Sequence, residues 1–132
     1  MPSNTETAKK GYEFFMRGDV PGLVREIIHD DCTWIGAGPK DKLPWAGHFN
    51  GKQGVANFFS VVAQHLHFTK LAPHEYVEQG ETVVVIGTSS AQVKSTGKSV
   101  DNEWVHVVKF RQGKLIFWQE YTDTDAEVLG MS

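Results

Sequence analysis

Two side chains in the last third of the chain have the types and the setting for proton transfer. Glu120 supplies a carboxyl and His106 an imidazole, and both lie in a stretch crowded by Trp104 and Trp118. Indole walls strip water from a carboxyl and disfavour its charged form, and this is the condition under which a carboxyl exchanges protons near neutral pH. The chemistry expected is removal of a proton from a carbon acid by Glu120, or delivery of one to a carbonyl or leaving hydroxyl. His106 would orient the carboxyl or stabilise an enolate-like oxygen, and the two groups would titrate as a coupled pair. The same residues also fit a buried structural pair held with Asn102 or Thr122, because structural pairs perturb titration in the same way.

These residues need a rigid support, and the local pattern supplies a β-hairpin. Asn102–Phe110 and Lys114–Thr122 are rich in β-branched and aromatic residues, with Arg111-Gln112-Gly113 between them. A two-residue loop, Gln112-Gly113, pairs Phe110 with Leu115 and puts His106 opposite Gln119. A three-residue loop pairs Phe110 with Lys114, so that His106 faces Trp118 and Trp104 faces Glu120. The three-residue loop is preferred, because it demands positive φ only of Gly113, whereas a type I′ turn demands it of Gln112 too. One face of the hairpin then carries Asn102, Trp104, His106, Val108, Ile116, Trp118, Glu120 and Thr122. The other carries Glu103, Val105, Val107, Leu115, Phe117, Gln119 and Tyr121. Polar groups set on an aromatic wall suit a pocket lining better than a filled core.

The rest of the chain must build that pocket. Its 132 residues make a single domain, residues 1–132, with ordinary hydrophobic (40%) and charged (22%) content. A net charge of −3 and scattered basic residues give no support for nucleic-acid binding. Cys32 is the only cysteine, so no intrachain disulfide forms, and its place in a strand predicts a small buried apolar group. The polar stretch at residues 1–10 is unlike a signal peptide, and no apolar run approaches a membrane span, so a cytoplasmic protein is expected.

Ser3 and Glu6 are spaced as a capping box for a first helix carrying Ala8, Tyr12 and Phe15. Gly18 stops it, and Asp19 caps a second helix with Pro21 in its first turn, an apolar stripe of Leu23, Val24, Ile27 and Ile28, and an end at His29-Asp30-Asp31. Cys32–Ile35 is a short strand, and residues 36–50 form a long loop whose Trp45 is expected either to fold over a cavity mouth as a flap or to cap the core edge. Gly51–Leu66 is a third helix. Residues 67–79 form a strand bent or at an edge because of Pro73, residues 82–94 form the next, and the hairpin completes the sheet. Residues 123–132 read as a tail in which Asp123 and Asp125 are solvated charges or a helix cap. The fold class is α+β: a curved antiparallel sheet with three helices on one face, enclosing a cone-shaped cavity. The opposite face, with Val105, Val107, Leu115 and Phe117, would be an apolar patch, which predicts a homodimer through the sheet.

Several local patterns together resemble a known family. Tyr12-x-x-Phe15-x-x-Gly18-Asp19, Asp30-Asp31-Cys32-Thr33-Trp34, Leu43-Pro44-Trp45-Ala46-Gly47 and Gly51-x-x-Gly54-Val55-x-x-Phe58-Phe59 resemble the SnoaL-like, ketosteroid-isomerase-related branch of the nuclear-transport-factor-2-like superfamily. So does the stretch from Asp101-Asn102 to Thr124. The resemblance covers nearly the whole chain and implies the cystatin-like α+β roll. It spans isomerases, cyclases, dehydratases, epoxide hydrolases and non-catalytic binding modules, so it is weaker for activity.

Carried over residue by residue, the steroid-isomerase tyrosine falls on Gly11, with Tyr12 one position along and facing elsewhere. The isomerase base falls on Gly36 and its protonated acid on His106, so that chemistry is lost. The polyketide cyclases of the branch resemble this chain in an imidazole on the penultimate strand and a carboxylate on the last, matching His106 and Glu120. Their carboxylate is an aspartate with a second histidine, where this chain has Glu120 and Trp118. The resemblance implies a cofactor-independent isomerase, cyclase or dehydratase acting on a small apolar carbonyl compound. Its alternative is a non-catalytic small-molecule-binding or dimerisation module. Glu120 and His106 are the catalytic candidates. Trp34, Trp104, Trp118, Asn102, Trp45, Tyr12, Phe15 and Phe59 are the binding candidates, and Trp34, Trp104 and Trp118 either wall the cavity or plug it. No cofactor motif is present, and His65, His67 and His74 lack the third ligand and geometry of a metal site.

Overall fold

The computed structural model describes residues 2–132. Helix α1 (Asn4–Met16) opens on Ser3, whose side chain accepts from the Glu6 N–H, and ends before Gly18 at φ 75°. Helix α2 (Val20–Glu26) is capped by the Asp19 carboxylate on the Gly22 N–H. It stops two residues earlier than its apolar stripe suggested. Ile28 belongs to strand β1 (Ile28–Gly36), where it pairs with Leu115 and is almost fully buried. Sheet pairing therefore takes Ile27 and Ile28 from the helix: the Ile27 carbonyl accepts from the Leu115 N–H at 2.8 Å.

The expected loop over residues 36–50 contains a further strand, β2 (Gly47–Asn50), which turns back antiparallel on β1. The connection between them is packed: Leu43 is fully buried, and Ala46 donates to the Leu43 carbonyl. Trp45, in the same connection, is buried as well. Helix α3 (Gly51–His65) follows, then β3 (Leu66–Gln79), β4 (Thr82–Val93), β5 (Ser99–Arg111) and β6 (Lys114–Thr122). The six strands form one sheet in the order β2-β1-β6-β5-β4-β3, antiparallel except for the parallel pair β1–β6. Strand β3 is an edge, with irregularities at Thr69 and at His74 next to Pro73, as its proline suggested. Where a tail was expected, a fourth helix, α4 (Thr124–Gly130), folds back with Asp123 accepting from the Ala126 N–H.

The β5–β6 turn corrects the preferred register. Gln112 and Gly113 both have positive φ, 52° and 78°, so the loop has two residues and Arg111 pairs with Lys114. A bulge then follows: Phe110 pairs with Leu115, but Lys109 pairs with Phe117. The extra residue shifts the ladder so that His106 lies opposite Glu120 and Trp104 opposite Thr122, a pairing neither simple loop provides. It also turns Leu115 inward, where it is buried beside Phe110, so Leu115 is not part of the outer patch. Val105, Val107 and Phe117 remain half-buried on the outer face, next to an exposed Tyr121.

Candidate functional site

The concave side of the sheet and helices α1–α4 enclose a cavity of about 130 Å³. Engineered apolar cavities of roughly 150 Å³ hold benzene, so the space is on the scale of a small aromatic molecule. All ten residues singled out in the sequence lie on this cavity: Glu120, His106, Asn102, Tyr12, Phe15, Phe59 and the four tryptophans. The tryptophans line the space instead of filling it. Trp34 stacks on Trp118 with centroids 4.1 Å apart, as their parallel pairing across β1 and β6 allows. Trp104 stacks on the His106 ring at 4.0 Å. Trp104 finds room because Gly87 faces it across the β4–β5 ladder; a Cβ there would lie 2.5 Å from the indole.

The polar core of the site is a chain of three side chains from three elements. His106 Nε2 lies 2.9 Å from Glu120 Oε2, and His106 Nδ1 lies 2.7 Å from the Tyr12 hydroxyl. Burial, then the charges of Tyr76 and Glu120, push the Tyr12 phenol well above its ordinary range, so it keeps its proton. That proton has no other protein acceptor among the described residues, so the phenol donates to Nδ1. Nε2–H then donates to the carboxylate, which can only accept. His106 is 4% exposed and has both ring nitrogens satisfied. Glu120 Oε1 makes no protein hydrogen bond among the described residues, while its side chain keeps one-fifth of its surface accessible. Tyr12 therefore faces into the site, against the reading that turned it away.

Asn102 is tied to the backbone, its Nδ2 donating to the Asp123 carbonyl at 3.1 Å, and so fixes the end of β6. Gly36, on which the steroid-isomerase base falls, is closed to any side chain: a Cβ there would run into the Trp45 carbonyl oxygen. His65 is near Trp45, with ring centroids 6.3 Å apart, and His74 bonds Thr88, so neither joins the site. Cys32 is buried in β1, and burial pushes its thiol up to about 12.

One titratable cavity residue escaped the sequence reading. Glu127 reaches the cavity from α4, its Oε1 is buried without a hydrogen-bond partner, and burial, then the charges of Glu120 and Asp123, raise its carboxyl to about 8. The available signal was Asp123 as an N-cap followed by Val128 and Met131 at helical spacing, both of which pack on the core. The indole N–H groups of Trp34 and Trp104 are also buried without partners.

Residues 8–118 match the SnoaL-like domain family. The chain belongs to that family. No curated protein matches it. Among solved structures it is similar to an NTF2-like protein of unknown function from Burkholderia pseudomallei, with 28% identity, a TM-score of 0.91, and coverage of 100% of this chain and 99% of that one. It is also similar to an NTF2-like protein from Burkholderia xenovorans, with 29% identity, a TM-score of 0.87, and coverage of 98% and 95%. A third similar structure is TerC co-crystallised with polyporic acid, again at 29% identity and a TM-score of 0.87, with 97% of each chain covered. The SnoaL-like, NTF2-like fold expected from the sequence is thus shown, with a six-stranded curved sheet and four helices instead of three. No helix among the described residues is long and apolar enough to cross a membrane.

Proposed function

We infer that this SnoaL-like chain is a cofactor-independent acid/base enzyme, of isomerase, cyclase or dehydratase type, acting on a small apolar carbonyl compound. The observation that carries this reading is the hydrogen-bonded order Tyr12–His106–Glu120 on the wall of an aromatic cavity, with one Glu120 oxygen unengaged. In the proposed step Glu120 removes a proton from the carbon next to the carbonyl. The C–H pair becomes a C=C bond and charge moves to the carbonyl oxygen. His106, anchored by Tyr12, holds the carboxylate in place before and after it takes the proton. TerC has been crystallised with polyporic acid, and a chain this similar supports reading the cavity as a ligand site.

One observation favours the second reading, a non-catalytic binding module: both nitrogens of His106 are already satisfied within the protein, as in a structural pair. On either reading we propose a homodimer through the outer sheet face, where Val105, Val107 and Phe117 keep part of their surface exposed.

The test is a panel of small ketones and enones, screened by thermal shift and then for turnover. The enzyme reading expects binders that are converted by the wild type and not by Glu120→Gln. Binders left unchanged by the wild type favour the binding module, and turnover equal in the two proteins removes Glu120 from the mechanism.

A further inference from the structure

The cavity holds a second carboxyl that the Tyr12–His106–Glu120 chain does not use. Glu127 is brought there by α4, a helix fixed at both ends. Asp123 caps its first turn, and the Thr96 hydroxyl donates to the Gly130 carbonyl at 2.7 Å while Gly130 packs against Val100. No Lys, Arg or His forms an ion pair with Glu127 among the described residues, and its Oε1 is buried without a partner. A buried polar atom left unpaired is costly and calls for an explanation. The titratable groups around the same cavity are Glu120, Tyr12 and His106, with Asp123 at the start of the helix, and none is a cation salt-bridged to Glu127.

Building on the reading of the site as an acid/base centre, we propose that Glu127 is the acid partner of Glu120: a neutral carboxylic acid whose O–H hydrogen-bonds the carbonyl oxygen of the bound molecule. The proton balance is complete. Glu120, as carboxylate, takes the proton from carbon, and the C–H electrons form the C=C bond. The carbonyl oxygen takes the proton of Glu127, leaving an enol, a protonated Glu120 and an ionised Glu127. Returning a proton from Glu120 to a different carbon, and one from the enol oxygen to Glu127, restores both groups. Two carboxyls in one cavity thereby hold opposite protonation states, because His106 donates to one and no donor reaches the buried oxygen of the other.

Binding and turnover are tested separately. The affinities of 1-indanone and of indane, which has the same rings without the carbonyl, are measured at pH 7 for the wild type, Glu127→Gln and Glu127→Leu. The wild type is expected to prefer the ketone. Glu127→Gln, which still offers an N–H donor, keeps that preference, and Glu127→Leu loses it by about tenfold, the worth of one hydrogen bond to a buried acceptor. A carbon-13 titration of the Glu127 carboxyl in the wild type shows it protonated at pH 7. A ketone preference unchanged in Glu127→Leu, no binding of either probe by the wild type, or an ionised Glu127 at pH 7 overturns the proposal. If the preference behaves as expected but no ketone is turned over, it is the acid/base reading that fails, and Glu127 remains a binding group.

Discussion

The Tyr12 hydroxyl, on the first helix, lies 2.7 Å from Nδ1 of His106, 94 positions further along the chain. The contact fixes the imidazole tautomer and aims the other nitrogen at Glu120. Tyr12→Phe removes the donor and leaves Nδ1 buried and unpaired. The expected cost is about 1–3 kcal/mol, read as a lower urea midpoint with an unchanged slope. Nitrogen-15 spectra of the His106 ring should change at Nδ1 in the same variant, while the other histidines keep their signals.

Glu127 makes stability depend on pH. Its folded value is raised from 4.5 to about 8, so its contribution is fully present below pH 4.5 and is lost as pH rises toward 8, where the unfolded chain has released the proton and the folded chain still holds it. At about 1.4 kcal/mol per unit the loss approaches about 5 kcal/mol. Glu127→Gln should flatten the stability profile between pH 4.5 and 8, measured by denaturant unfolding at a series of pH values, and should be more stable than the wild type at pH 8.

Cys32 is 1% exposed, and its thiol is pushed up to about 12 by burial. Thiolate is the reactive form, so a thiol reagent at pH 8 should leave the folded protein unlabelled and label one equivalent in denaturant. Fast labelling of the native protein would show that β1 opens locally.

Gln112 holds φ 52° in the β5–β6 turn, a region that costs a non-glycine residue about 1 kcal/mol or more. Gln112→Gly should therefore raise stability by about 0.5–1 kcal/mol, and Gln112→Pro, whose φ is fixed negative, should lower it by more.

That turn also marks where the sequence stopped being informative. Alternation along residues 102–122 assigned Trp104, His106, Trp118 and Glu120 to one face correctly, because the shorter loop and the bulge together displace the ladder by two residues, an even number, from the expected register. It could not reveal the bulge. A Gln-Gly pair argues against a type I′ turn on propensity, and only the pairing of β6 with β1 on its other side, through Ile28–Leu115 and Trp34–Trp118, fixes the register that sets His106 against Glu120. Tyr12 shows the same limit. Spacing to Gly18 gives its place along α1, whereas its direction depends on how α1 lies across the sheet, with Tyr12 against Trp104 and Tyr76. The fourth helix left only a short signal, an N-cap at Asp123 and two apolar residues, Val128 and Met131, at helical spacing. With seven residues, it is held by its Asp123 cap and by the fit of Gly130 on Val100 more than by its own propensity.

The most direct test of the acid/base account is deuterium incorporation from D2O into the carbon next to the carbonyl of ring ketones that bind the cavity, with 1-indanone and the tetralones as the first set. The reading predicts that the wild type accelerates exchange over buffer, and that Glu120→Gln exchanges at least about 100-fold more slowly while its affinity for the same ketone stays within a few-fold. Exchange at equal rates in the two proteins, or ketones that bind the wild type and exchange no faster than in buffer, would contradict it.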